Sequence, residues 1–187
     1  MWDIDNHIKM YPHAAIMEKE GRLYGQWIIG NNYRATQPYH GSYPPSYIER
    51  VKSLFPNNKK ILHLYSGMVQ PMEGEQTFDI NPNLNPTKCG KAEELSDYFS
   101  ENTFSLVLAD PIYDKQNAAK YGAKMPITYR VMSELYKIVE VGGVVVWLCT
   151  RIPLWKKVEW KLLGVIGLFC GTNRVYRAVV LLQKTYA

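Results

Sequence analysis

Beyond residue 60 the hydrophobic positions fall into short apolar runs separated by stretches of helical period. Ile61-Leu62-His63-Leu64-Tyr65 reads as a buried strand stopped by Ser66-Gly67, and Gln76 to Ile80 as a second strand stopped by Asn81-Pro82. A helix is predicted over Ala92 to Phe99, then a strand over Phe104 to Ala109 closed by Asp110-Pro111. Thr128 to Val139 puts Val131, Leu135, Ile138 and Val139 on one helical face, with Gly142-Gly143 as its stop. Val144 to Cys149 is the most β-branched run. A helix around Pro153 to Trp160 follows, then strands over Leu163 to Phe169 and Val175 to Gln183, joined by Gly171-Thr172-Asn173 as a hairpin.

The first third reads differently. Residues 1–50 are rich in Tyr, Asn, Pro and Gly, which predicts loops and short elements, and Ser46 is placed to cap a short helix from Tyr47 to Phe55 that Pro56-Asn57-Asn58 ends. With no repeat, low-complexity run or linker-like stretch, the chain reads as one domain, residues 1–57 forming an extension and residues 58–187 an α/β core. Alternating β and α elements predict a mostly parallel sheet covered on both faces, and the closing pair of strands, lacking a helix between them, must include an antiparallel one. Ligands in such sheets sit outside the carboxyl ends of the strands, so the chemistry is expected just after each strand.

Composition narrows this picture. At 187 residues, 47% hydrophobic and 21% charged, the chain suits a globular domain, and its longest apolar stretches are about half the ~20 residues of a membrane helix. Acids near the N-terminus, where a signal peptide carries lysines, predict a cytoplasmic protein. Cys89, Cys149 and Cys170 are spaced for neither a disulfide framework nor C-x-x-C, and the four histidines offer no zinc spacing, so no metal is expected. Net charge is +5 but uneven, with +3 in residues 1–60, −4 in 61–136 and +6 in 137–187. A basic frame around an acidic middle suits a polyanion docking over a site whose chemistry uses carboxylates.

The residues at the strand ends carry a resemblance. Ile61 to Gly67, then Phe78-Asp79-Ile80-Asn81-Pro82, then Leu106-Val107-Leu108-Ala109-Asp110-Pro111-Ile112-Tyr113 resemble, in that order, motifs of the class I S-adenosylmethionine-dependent methyltransferases. The last is similar to the Asp-Pro-Pro-Tyr motif of the branch acting on exocyclic amino groups of bases. The resemblance runs from about residue 58 to the C-terminus. It implies a Rossmann-like class I methyltransferase fold, a mostly parallel seven-stranded sheet ending in an antiparallel hairpin, with S-adenosylmethionine as cofactor.

It also implies roles. Tyr43, Leu64, Tyr65, Ser66, Gly67, Asp79, Ile80, Ala109 and Asp110 are the expected cofactor-binding residues; Gly67 would admit the methionine part, Asp79 would accept from the ribose hydroxyls, and Ile80 would pack on adenine. Asp110, Pro111 and Tyr113 are the expected catalytic residues. An amine conjugated to a heteroaromatic ring is a poor nucleophile, so Asp110 and a main-chain carbonyl, that of Pro111, would accept its N–H groups while Tyr113 stacks on an extruded base. Three positions depart from the pattern: His63 stands at an acid position, Met68-Val69-Gln70 replace later glycines, and Lys91 stands where an acceptor for the adenine amino group is usual. Ser42 with Tyr43, and Asn31-Asn32-Tyr33-Arg34, are further pocket candidates.

The reading that follows is an adenine-N6 methyltransferase acting on DNA. The alternatives are an RNA methyltransferase of the rRNA guanine-N2 kind and a catalytically weak cofactor-binding subunit. So small a chain leaves little for reading a target sequence, which implies low specificity, exposed bases, or help from a partner subunit or a second copy.

Overall fold

The computed structural model describes residues 2–30, 43–113, 118, 124–170 and 176–186. The elements are α1 (Ile4–Met10), β1 (Ala15–Lys19), β2 (Arg22–Ile29), α2 (Tyr47–Leu54), β3 (Ile61–Leu64), β4 (Glu75–Asp79), β5 (Lys88–Cys89), β6 (Phe104–Ala109), α3 (Thr128–Ile138), β7 (Val139–Cys149), β8 (Trp160–Cys170) and β9 (Tyr176–Lys184). The strands form one nine-stranded sheet in the order β1-β2-β8-β9-β7-β6-β3-β4-β5. From β5 through β3 and β6 to β7 every pairing is parallel, while β9 runs antiparallel between β7 and β8.

Two strands more than expected are present, and both come from the N-terminal segment. In β2, Leu23, Trp27 and Ile29 are buried while Arg22, Tyr24, Gln26 and Ile28 are exposed, the period of a half-buried strand. Glu20 (φ 54°) and Gly21 (φ 68°) turn the chain back on β1 with two consecutive left-handed residues, as tight hairpins require. β2 then pairs in parallel with β8, so the sheet continues past its C-terminal hairpin.

Other expectations shift for local reasons. The segment Ala92–Asp97 is a 3-10 helix kinked at Glu94; Ala92 and Leu95, three residues apart, reach the core together, and Glu134 draws the Ser96 N–H at 2.8 Å. Gly142-Gly143 do not stop α3, which passes directly into β7 at Val139. They sit inside that strand, where Gly142 (φ 81°) supports a bulge between the Phe104↔Val139 and Leu106↔Val144 pairings. The expected helix over Pro153 to Trp160 is an irregular connection leading into β8. Of its apolar residues Trp155 packs on the core, while Leu154 is 87% exposed, so no apolar face exists to dock a helix. Ser46 is left-handed (φ 56°) and makes no side-chain cap to α2. The Gly171-Thr172-Asn173 turn lies outside the described residues.

Two apolar layers flank the sheet. One, under α3 and the 92–97 turn, contains Leu62, Phe78, Phe99, Val107, Leu135, Trp147 and Val180. The other, under α2, contains Leu23, Trp27, Tyr47, Val51, Leu106, Val146 and Val179. Each fully buried side chain of this size contributes about 1.5–3 kcal/mol. A polar chain fastens the N-terminal helices to β2: Trp27 Nε1 donates to His7 Nε2 (3.2 Å), His7 Nδ1 to Ser53 Oγ (2.6 Å), and Ser53 to the Arg50 carbonyl (2.8 Å). Burial, then the Arg50 charge, pushes the imidazole down to about 4, which fits this neutral role. Among the described residues no helix is long and apolar enough to cross a membrane, and no cluster of metal-ligating side chains occurs. Cys149 and Cys170 are buried thiols and Cys89 an exposed one.

Candidate active site

The sheet order reverses at β3, whose neighbours β4 and β6 are reached in opposite directions. A crevice opens there at the carboxyl ends of the strands. β3 is followed by Tyr65, whose backbone is left-handed (φ 59°), then by Ser66 and by Gly67 (φ 56°). A bulky residue in that region is strained, and this one stands where the turn carries its neighbours across the crevice floor.

Asp79 closes β4 and is 8% exposed. Its Oδ2 accepts the Gly67 N–H at 2.9 Å and its Oδ1 the Asn81 N–H at 3.0 Å. One carboxylate thus locks the turn after β3 to the turn after β4, and each oxygen keeps a second lone pair. Tyr65, Phe78, Asp79, Ile80, Gly90 and Ala92 line a cleft of about 50 Å³, together with Lys91, Glu93, Ile112, Lys124 and Pro126. Ile80 is 47% exposed there, an apolar side chain that a flat ring would cover. The Tyr65 hydroxyl is buried without a hydrogen-bond partner among the described residues, and burial, then Glu93 and Asp79, raise it well above the ordinary phenol value.

Asp110 stands just past β6, its side chain 12% exposed. Tyr113 donates its hydroxyl to Oδ1, and Arg177 of β9 brings Nη1 to 3.9 Å from Oδ2. Burial pushes the carboxyl up to about 7, against the pull of Arg177. Cys149 at the end of β7 is pushed up to about 12 by burial and then by Asp110. A second cleft of about 560 Å³ begins at Pro111 and is lined by Tyr113, Met125, Tyr129, Trp147, Arg151 and Leu154.

Tyr43 sits between the two halves. Its hydroxyl donates to the Leu108 carbonyl at 2.9 Å, with the Leu64 carbonyl at 3.4 Å, and its ring stacks on Tyr47 at 5.4 Å. Burial, then Asp110, Tyr47 and Asp79, raise its phenol well above the ordinary value.

The expected residues therefore gather around one crevice, in different ways. Tyr65, Asp79 and Ile80 line the smaller cleft; Pro111 and Tyr113 line the larger; Gly67 is tied to Asp79. Leu64 and Ala109 are fully buried in the core and present only main chain to the crevice, and Ser66 is buried with an unpartnered hydroxyl among the described residues. Ser42 and Asn31 to Arg34 lie outside the described residues. His63 turns away from the cleft: its Nε2 is 3.1 Å from Glu75 Oε2, and Glu75 also takes Lys52 and the Met72 N–H. Burial lowers the imidazole below its ordinary value in spite of Glu75, while hydrogen bonds from Lys52, Met72 and His63 outweigh burial and hold the Glu75 carboxyl low. The acid absent from β3 is supplied by the start of β4 for a structural purpose.

Two residues were not foreseen. Glu93 brings to the smaller cleft the acceptor that Lys91, paired with Glu94 at the surface, does not; its Oε1 already takes the Ile127 N–H at 2.8 Å. Arg177 follows the terminal hairpin, and nothing in the local pattern of β9 marks it for the site.

Neither a protein-family model nor a curated protein sequence matches the chain. Among solved structures it is similar to TrmN from Thermus thermophilus, with a TM-score of 0.56 and 15% identity over 78% of this chain and 50% of that one. The fold is that of the class I methyltransferases. This chain spans half the length of TrmN. An rRNA methylase from Streptococcus thermophilus superposes with a TM-score of 0.44 and 12% identity over 68% of this chain and 89% of that one. In that fold β5-β4-β3-β6-β7-β9-β8 form the seven-stranded sheet that the sequence predicts, and β2 and β1 are additions at its β8 edge.

Proposed function

We propose that the chain is an S-adenosylmethionine-dependent methyltransferase acting on an exocyclic amino group of a nucleobase, with adenine N6 in DNA as the leading substrate. The observation that carries this is Asp110: a nearly buried carboxylate, clasped by Tyr113, at the head of a segment whose Ile112 lines both clefts and whose Pro111 and Tyr113 line the larger one.

The residues of the smaller cleft fit the cofactor. Asp79 is preset by two main-chain donors and keeps lone pairs for the two ribose hydroxyls, Ile80 offers an apolar face to adenine, and Glu93 has an oxygen left for an amino group. Bound there, S-adenosylmethionine supplies an electrophilic methyl on a sulfonium. Asp110 and the Pro111 carbonyl accept the N–H groups of the amine, hold its lone pair in line, and stabilise the positive charge that grows on nitrogen. Transfer would form the N–C bond at the expense of the S–C bond and leave an extra proton on the alkylated nitrogen, which Asp110 or water would take.

The larger cleft suits a base lifted from a strand. Tyr113 and Tyr129 offer aromatic faces, Ile152 and Leu154 are exposed among its lining residues, and Arg151 and Lys157 add positive charge along the same connection, where Lys156 is paired with Glu159. Such a surface favours a polyanion.

The test is transfer of labelled methyl to double-stranded DNA, single-stranded DNA and total RNA, with nucleoside analysis of the product and calorimetry of cofactor binding. N6-methyladenine in DNA is the expected product. Label confined to RNA moves the substrate to RNA, binding without transfer leaves a cofactor-binding subunit, and absence of binding removes the reading.

A further inference from the structure

We propose that Arg177 is a positioning residue for the reaction, holding the Asp110 carboxylate charged and aimed at the amine. This rests on the function proposed above for the role of Asp110, while the pairing itself stands on geometry.

Arg177 lies at the start of β9, opposite Leu168 of β8 and one residue before the Ala178↔Cys149 pairing, so it is level with the carboxyl end of β7. Alternation along β9 places Val179 and Leu181 in the layer under α2, and Arg177 shares their side of the sheet. The guanidinium is 12% exposed, as is the carboxylate, with Nη1 3.9 Å from Asp110 Oδ2 and Nη2 donating to Cys170 Sγ at 3.5 Å. Thioether and thiol sulfurs are weak acceptors, and a buried guanidinium needs an anion. Asp110 is the carboxylate that it faces among the described residues.

The pair has a consequence for shape as well as for charge. Tyr113 donates to Oδ1 and the Arg177 charge stands 3.9 Å from Oδ2, so one oxygen is anchored and the other is drawn toward the guanidinium with its lone pairs open. The other groups turned toward Asp110 are the phenols of Tyr43 and Tyr47, from the segment entering α2 and from α2 itself, and the Cys149 thiol of β7. Burial raises all three far above neutrality, so they carry no charge at pH 7. Arg177 is thus the one charge among these groups that favours the anion, and the site is otherwise built to protonate it. A protonated Asp110 offers a donor where the amine needs an acceptor.

The test compares wild type with Arg177→Met, Arg177→Gln and Arg177→Lys. The Asp110 carboxyl is followed by carbon-13 NMR of labelled aspartate, assigned with Asp110→Asn, and the pH dependence of methyl transfer is measured beside it. Removing the charge should raise the Asp110 midpoint by about one pH unit or more, as loss of an opposite charge at this range does, and Lys should restore most of it. The acidic limb of transfer should move with the midpoint while cofactor affinity stays level. An unmoved midpoint in the Met and Gln variants overturns the pairing, as does a loss of transfer that is equal at every pH. If the wild type transfers methyl to no substrate, the proposed function fails and the NMR midpoint still decides the pair. Gln keeps a polar hydrogen-bonding end, so it supplies the charge-free variant if Met does not fold.

Discussion

Two carboxylates mark the two halves of the crevice, and they are held by different kinds of partner. Asp79 is gripped by main-chain N–H groups of Gly67 and Asn81, at 2.9 and 3.0 Å, so its place is fixed by the turns that the fold already makes. Asp110 is held by side chains, Tyr113 and Arg177, from a loop and from a strand that pairs elsewhere in the sheet. Main-chain donors make an anion part of the architecture. A side-chain donor and a nearby guanidinium leave its charge and direction adjustable, which suits the role proposed for it of meeting an amine, holding it through a change of charge, and letting it go.

The sharpest way to break that contrast is Asp110→Asn. The amide keeps the shape and loses one acceptor, so transfer should fall by about 10³-fold while cofactor affinity changes little. Single-turnover transfer with calorimetry decides it; an equal loss of both would place Asp110 with the cofactor instead.

The same variant reads stability. Asp110 is raised in the folded protein, so the stability that its carboxyl contributes is complete below the unfolded value of 3.8 and is lost as pH rises through about 7. Asp110→Asn has no such loss. Relative to wild type it should gain on the order of 4 kcal/mol between pH 3.5 and pH 8, whatever constant offset the substitution brings. Urea unfolding at a series of pH values measures it, and a flat difference would mean that the carboxyl is well hydrated.

How much of this could be read from the residues alone depended on range. Phe104 to Ala109 is legible because an apolar run ends in Asp-Pro, both signals lying within eight residues. The alternation Leu23, Trp27, Ile29 was equally present in the sequence, and it passed unnoticed because Gly25 and the surrounding glycines and tyrosines read as loop. The helix expected over Pro153 to Trp160 does not form, since Leu154 and Val158 point to solvent while Trp155 packs on the core, leaving the segment no continuous apolar face. Asp79 and Asp110 stand at strand ends, where the fold class alone directs attention. Arg177 does not: its meeting with Asp110 joins residues 67 positions apart through a hairpin that must first form. Glu93 carries no motif signal, since the motif keeps its acceptor two residues earlier, where this chain has Lys91.

On the cofactor side, Asp79→Asn turns one acceptor into a donor facing a main-chain N–H. Stability should drop by about 1–3 kcal/mol, the cost of a buried donor left without a partner, and cofactor affinity should fall by about 10- to 100-fold. At saturating cofactor the transfer rate should recover, because the damage is to binding. A rate that stays low would mean that Asp79 also shapes the amine site and that the halves are not separable.

Tyr43→Phe asks whether the boundary itself matters. The hydroxyl bridges toward the Leu108 carbonyl of β6 and the Leu64 carbonyl of β3, the two strands between which the crevice opens, while the ring stacks on Tyr47 with planes 14° apart. Phenylalanine keeps the stack and removes one hydrogen bond to carbonyls in a sheet that is otherwise intact, so unfolding free energy should fall by about 1 kcal/mol. Both clefts should then loosen alike, with cofactor affinity and transfer each down by no more than a few-fold, since 1 kcal/mol is roughly five-fold in any equilibrium. A loss of affinity as large as that of Asp79→Asn, with stability unchanged, would make the Tyr43 hydroxyl a direct cofactor contact and move the dividing line of the site from Tyr43 to Asp110.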